Sequence, residues 1–141
     1  MEQFLEFFGN HPFLFAALGM TMGMLMYTEF QRASVAGSTL SVSAATRKQN
    51  DSEALFLDIR DDAQFKAGHL IDAKNIPLRT LAAKVSELAK YKEKPVIVYC
   101  ENGMRSGKAL SILRKAGFSD LYTLQGGLVA WEKASLPVVT K

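Results

Sequence analysis

Val96-Ile-Val-Tyr-Cys100-Glu-Asn-Gly-Met-Arg105-Ser106 combines a buried strand, a cysteine at its carboxyl end, a glycine-containing loop, an arginine and a helix start. Four consecutive apolar residues, Val96 to Tyr99, suit a parallel strand covered on both faces. From Ser106 to Ala116, Ala109, Leu110, Ile112 and Leu113 recur at helical spacing, and Gly117 is the expected terminator. In open α/β sheets, ligands lie outside the carboxyl ends of the strands. That placement alone makes Cys100 a candidate for chemistry.

The pattern extends on both sides. Ala54-Leu-Phe-Leu-Asp58 is a short apolar run ending in a carboxylate. Arg79 to Tyr91 reads as a helix with Leu81, Val85 and Leu88 on one stripe, broken by Pro95. Leu121-Tyr-Thr-Leu124 reads as a strand, and Gly126-Gly127 opens a last helix containing Leu128 and Trp131. Ser41 or Ser43 is placed to cap a short helix through Ala44, Ala45 and Arg47, with Asn50-Asp51-Ser52 as a turn. Strands alternating with helices predict an α/β domain with a mainly parallel sheet.

The loop's residue types point to nucleophilic chemistry. A curled loop can aim backbone N–H groups at one centre, and Gly103 permits the unusual dihedral such a turn needs. The helix from Ser106 adds its positive end, and Arg105 adds a permanent charge. Together they favour a thiolate, the form of cysteine that attacks. Ser106 is placed to cap the helix or to donate to a bound anion. A lone cysteine is otherwise a small apolar filler, and the polar residues after Cys100 argue against that role here.

The N-terminus has a different composition. Twenty-two residues without a formal charge lie between Glu6 and Glu29. As a helix they span about 33 Å, enough to cross a bilayer core. Pro12 suits a first helical turn, with Asn10 as its cap. Two readings compete: a cleaved signal peptide, with Ser34-Val35-Ala36 as a small-residue site, although Glu2 and Glu6 occupy the region that should be basic, and a buried soluble helix, which would be unusually apolar on all faces. Gly19-Met-Thr-Met-Gly23 is a small-xxx-small match, weak evidence for helix pairing. The expected organisation is an anchor over residues 1–32 (span about 8–28), a linker over 33–39 and one domain over 40–139. Arg32, Arg47 and Lys48 all follow the apolar run, so the positive-inside rule puts the domain in the cytoplasm and the anchor in the inner, cytoplasmic membrane.

Composition sets limits. Residues 1–37 carry three acidic residues against Arg32, a net of −2, and the rest carry 16 basic and 11 acidic residues, a net of +5. No Lys/Arg run suggests nucleic acid. One cysteine and two histidines among 141 residues exclude an internal disulfide and leave little for a metal site, so no metal is expected.

Cys100-Glu-Asn-Gly-Met-Arg-Ser106 resembles the active-site loop of the rhodanese-like sulfurtransferases. Asp58-Ile-Arg60, Phe65, Gly68-His-Leu-Ile-Asp-Ala73 and Asn75-Ile-Pro77 resemble that family's first signature, and Gly126-Gly-Leu-Val-Ala-Trp131 its closing one. The whole layout resembles the membrane-anchored single-domain members. The resemblance implies a five-stranded parallel sheet flanked by helices. It implies that Cys100 takes sulfane sulfur from a donor such as thiosulfate, holds it as a persulfide within the loop 101–106, and yields it to cyanide or a thiol, a protein thiol included. No cofactor is implied. Asp58 and Arg60 are implied to brace the loops, a solvated charge pair being the bland alternative. His69 has no catalytic role in the family.

Two other functions compete. One is a tethered protein-interaction module with little catalysis. The other is a small-anion cysteine phosphatase or reductase, which the spacing disfavours: Cys100 and Arg105 are C-x4-R, whereas cysteine phosphatases use the longer C-x5-R. Glu101 places a carboxylate beside the nucleophile, so thiosulfate is expected to be a poor donor and a larger persulfide the natural one. Met104 is expected to face an organic or protein thiol.

Overall fold

Consecutive apolar residues in a strand point to opposite sides, so Val96–Tyr99 must be covered twice. A computed structural model of the protein describes residues 1–36 and 38–140, with the side chains of all of these but residues 4, 5 and 31–36. The elements run α1 (Glu2–Asn10), α2 (Pro12–Ala36), β1 (Thr39–Leu40), α3 (Val42–Ser52), β2 (Leu55–Asp58), α4 (Asp62–Ala67), β3 (Lys74–Asn75), α5 (Leu78–Lys84), a 3₁₀ segment (Val85–Tyr91), β4 (Val96–Tyr99), α6 (Ser106–Lys115), β5 (Leu121–Leu124) and α7 (Gly127–Lys133). The chain divides into two compact units, residues 1–37 and 38–141.

In the second unit all five strands are parallel, in the order β1-β5-β4-β2-β3. Leu55, Leu57, Val96 and Val98 face one side, where they pack with Leu81, Leu88, Ala109, Leu110 and Leu113 from α5, the 3₁₀ segment and α6. Phe56, Ile97 and Tyr99 face the other, against Ala45 of α3 and Leu128 and Trp131 of α7. Trp131 meets Phe56 edge-on with ring centroids 5.5 Å apart, and its indole N–H donates to the Pro137 carbonyl at 3.0 Å. This is the flanked, five-stranded parallel sheet expected.

Several local expectations need correction. Ser41 is the cap of α3, accepting from the Ala44 N–H at 3.3 Å. That helix runs through Asn50-Asp51-Ser52, and the chain turns instead at Glu53, at φ 52°. The stretch from Arg79 to Tyr91 is a short α-helix that tightens into 3₁₀ geometry. Residues i and i+3 share a face in both, so Val85 and Leu88 stay on the core side in either geometry, and Leu81 and Leu88 are buried.

In the first unit, Pro12 opens α2, but Asn10 closes the preceding α1 rather than capping. His11 separates the two, its N–H on the Phe7 carbonyl and its carbonyl accepting from Leu14 and Phe15. Pro12–Phe30 is long and apolar enough to cross a membrane: 19 residues with a mean hydropathy of 1.3, none buried within the structure. The helix continues to Ala36, into the stretch expected as linker. Gly37 of that linker, and the side chains of Arg32 and residues 34–36, lie outside the described residues.

Candidate active site

β2 and β4 run side by side with Asp58 opposite Tyr99, and the Ile59 N–H donates to the Tyr99 carbonyl at 3.2 Å. The two chains leave the sheet together, which brings Arg60 and the Cys100 loop to one carboxyl edge. Cys100 is buried, at 3% exposure. Its Sγ accepts from the Gly103 N–H at 3.1 Å and from the Ser106 hydroxyl at 3.6 Å. Gly103 has φ +86°, the left-handed backbone that lets its N–H turn back on the sulfur. Ser106, wholly buried at the start of α6, makes no helix cap and is committed to the sulfur.

The picture of many converging amides is narrowed. Asn102 Oδ1 accepts from the Met104 N–H at 3.1 Å, which turns that amide away from the sulfur. Asn102 Oδ1 itself lies 4.0 Å from Sγ. Among the described residues, one backbone amide and one hydroxyl donate to Sγ.

Asp58 and Arg60 form a buried pair, with side-chain exposures of 0% and 5%. Arg60 Nε donates to both Asp58 oxygens at 3.1 Å and a terminal nitrogen to Oδ2 at 2.8 Å. The same guanidinium donates to the Gly68 carbonyl at 2.6 Å and to Glu101 Oε2 at 2.9 Å. Asn75 Nδ2 ties the carbonyls of Asp58 and Arg60 at 3.1 and 2.9 Å. Burial alone lowers the Arg60 pKa, but the hydrogen bonds and charge of Asp58, aided by Glu101, outweigh it and hold it above its ordinary value. Burial, with the Asp58 charge second, pushes the Tyr99 phenol up. Arg60 therefore fastens the loop after β2 to the nucleophile loop. The solvated alternative fails, and Glu101 is not a free carboxylate.

Cys100, Glu101, Asn102 and Arg105 line a pocket of about 130 Å³ with Ile59, Arg60 and Gln64. The Arg105 guanidinium makes no hydrogen bond or ion pair among the described residues, so its charge is available to a bound anion. Met104 stands 83% exposed beside the mouth.

Gly127 backs this loop, a role that was not apparent from the glycine pair. A Cβ on Gly127 would stand 2.3 Å from the Cys100 carbonyl oxygen, 2.8 Å from the Gly103 nitrogen and 2.9 Å from the Glu101 carbonyl carbon. The close approach lets the Leu128 N–H reach the Cys100 carbonyl at 2.9 Å and the Val129 N–H reach Glu101 O at 3.0 Å. His69, by contrast, stacks on Phe65 at 3.7 Å with Nδ1 2.7 Å from the Phe65 carbonyl oxygen, a structural arrangement. Among the described residues no three His, Cys, Asp or Glu side chains are grouped to hold a metal.

The family model for the rhodanese-like domain matches residues 41–134. The chain belongs to the rhodanese-like family. Escherichia coli (strain K12) YibN is 32% identical to this chain over 140 residues, covering 99% of this chain and 98% of that one. A sulfurtransferase of Allochromatium vinosum is 32% identical over 99 residues, covering 70% of this chain and 91% of its own. The solved rhodanese-like domain of Anabaena Alr3790 superposes with a TM-score of 0.64 at 26% identity, covering 74% of this chain and 80% of that one. The rhodanese family and its sulfurtransferase members support an enzyme of the sulfurtransferase type.

Proposed function

We propose that this chain is a membrane-anchored sulfurtransferase in which Cys100 carries sulfane sulfur as a persulfide. The observation that carries the reading is the buried Sγ held by Gly103 N–H and Ser106 Oγ, opening on a 130 Å³ pocket with the unpaired Arg105. The Cys100 thiolate attacks the outer sulfur of a donor. A sulfur–sulfur bond forms, the donor's own bond to that sulfur breaks, and the leaving group departs with the electron pair, as sulfite from thiosulfate. An acceptor thiolate or cyanide then attacks the outer sulfur of the persulfide and releases the Cys100 thiolate. Atoms and electrons balance without a cofactor, in two half-reactions.

Arg60 neutralises part of the Glu101 charge, yet the Glu101 side chain is half exposed. Its remaining field disfavours dianionic thiosulfate relative to an organic persulfide. The exposed Met104 is suited to the apolar part of such a partner, a protein thiol included. The apolar Pro12–Phe30 helix, about 28 Å long, is the anchor. The positive charges that follow it support a domain on the cytoplasmic side of the inner membrane.

Initial rates with the full chain in detergent, varying donor and acceptor together, test the mechanism. Parallel double-reciprocal lines are expected, with an organic persulfide a better donor than thiosulfate. Glu101→Gln is expected to raise the thiosulfate rate about two- to fivefold, the range for a partly screened charge. Intersecting lines would contradict the carrier mechanism, and an unchanged thiosulfate rate would contradict the role given to Glu101.

A further inference from the structure

The pocket of about 130 Å³ at Cys100 is smaller than the ~300–1,000 Å³ that encloses a typical organic ligand. An organic donor or acceptor that places its sulfur at Cys100 can extend its body into an adjoining space. Two cavities adjoin. One, of about 370 Å³, is lined by Ile59, Asp61, Leu78, Arg79, Arg105 and Lys108, and shares Ile59 and Arg105 with the Cys100 pocket. The other, of about 260 Å³, shares Arg60, Gln64 and Glu101 with it and adds Glu132. They differ in charge. The larger holds three cations against one carboxylate, Asp61, which lies 3.7 Å from Arg79. The smaller holds two carboxylates, one of them paired with Arg60.

We infer that the larger cavity is the subsite for a small organic thiol or persulfide bearing a carboxylate, with the carboxylate at Arg79, Arg105 and Lys108 and its apolar carbons on Ile59 and Leu78. Arg105, common to both cavities, lies between the reacting sulfur and the carboxylate. A cationic cavity on one side and an acidic one on the other orient the molecule, since the reverse placement sets carboxylate against carboxylate. The inference rests on the sulfur-carrier reading and assigns the class of substrate that reaches it. Lys108 meets the loop through its backbone N–H on the Arg105 carbonyl, at 3.2 Å, which a side-chain substitution keeps, and the side chains of Arg79 and Lys108 are assigned to the substrate's charge.

The test uses the full chain in detergent, loaded with sulfur from an uncharged organic persulfide and monitored by intact mass. Discharge is timed with 3-mercaptopropionate and with its methyl ester, normalised to the loaded fraction. The ratio of the two rates in Arg79→Gln/Lys108→Gln, divided by that in wild type, cancels the intrinsic difference between the thiols. A fall in the ratio of about fivefold is expected for two exposed charge contacts. An unchanged ratio overturns the subsite while leaving the carrier intact. A second arm needs no sulfur: glutarate is expected to slow alkylation of Cys100 by iodoacetamide in wild type and to lose that effect in the double variant. Failure to load, with glutarate protection retained, sinks the carrier reading and keeps the anion subsite. Absence of protection in wild type counts against the subsite directly.

Discussion

Replacing Gly127 by alanine should open the nucleophile loop. The added Cβ would stand 2.3 Å from the Cys100 carbonyl oxygen and 2.8 Å from the Gly103 nitrogen, and both are backbone atoms that no side-chain rotation can clear. Gly127 also has φ +59°, where an L side chain costs about 1–2 kcal/mol. Overpacking adds about 1–3 kcal/mol. The expected loss is therefore about 2–5 kcal/mol, a large share of the ~5–15 kcal/mol that holds a domain folded. Relief requires α7 to move off the loop, at the expense of the Leu128 N–H bond to Cys100 O and the Val129 N–H bond to Glu101 O. Trp131 is the single tryptophan and lies on α7, so its fluorescence in a urea titration of the full chain reads the stability. Alkylation of Cys100 reads the opening of the loop, and it should become faster. Gly107→Ala is the control: nothing lies within 4 Å of its Cβ position, and it should stay within about 1 kcal/mol of wild type. A Gly127→Ala variant within about 0.5 kcal/mol of wild type, with unchanged alkylation, would refute the idea that α7 backs the loop.

Other perturbations separate the remaining parts of the site. Arg60→Leu leaves the Asp58 carboxylate buried without its partner and should cost about 3–5 kcal/mol in urea denaturation, while adding Asp58→Asn should recover part of it; equal losses in the single and double variants would refute the pairing. Ser106→Ala removes the hydroxyl on Sγ and should slow Cys100 alkylation at neutral pH about fivefold, with stability within about 1 kcal/mol of wild type; an unchanged rate would deny Ser106 its role. Deleting residues 1–36 should leave a soluble, folded fragment, because the second compact unit begins at Ser38; an insoluble or unfolded fragment, judged by gel filtration and Trp131 fluorescence, would show that the apolar helix belongs to the domain core.

The central strands were legible because both faces of the sheet are covered, so Val96–Tyr99 reads as an uninterrupted apolar run and Leu121–Leu124 as an apolar run broken only by Thr123. The nucleophile's position followed from the same strand. Errors gathered where local signals are degenerate. Asn50-Asp51-Ser52 has the composition of a turn, yet α3 runs through it and the left-handed conformation falls on Glu53. The 3.6 and 3.0 periodicities share the i, i+3 spacing of Val85 and Leu88, which hid the 3₁₀ segment. Contacts between distant residues left no trace: Arg60 and Glu101 are 41 positions apart, and their ion pair was not visible in either stretch. Gly127 was legible as part of a glycine pair opening the last helix, but not as the residue pressed against Cys100 O.

The most direct measurement is the intact mass of the full chain and of Cys100→Ser after exposure to an organic persulfide, then to a thiol. A gain of one sulfur atom in the wild type, removed by the thiol and absent in Cys100→Ser, is the predicted result. No gain in a folded wild-type protein, or the same gain in Cys100→Ser, would contradict the assignment of Cys100 as a sulfur carrier and favour a tethered interaction module.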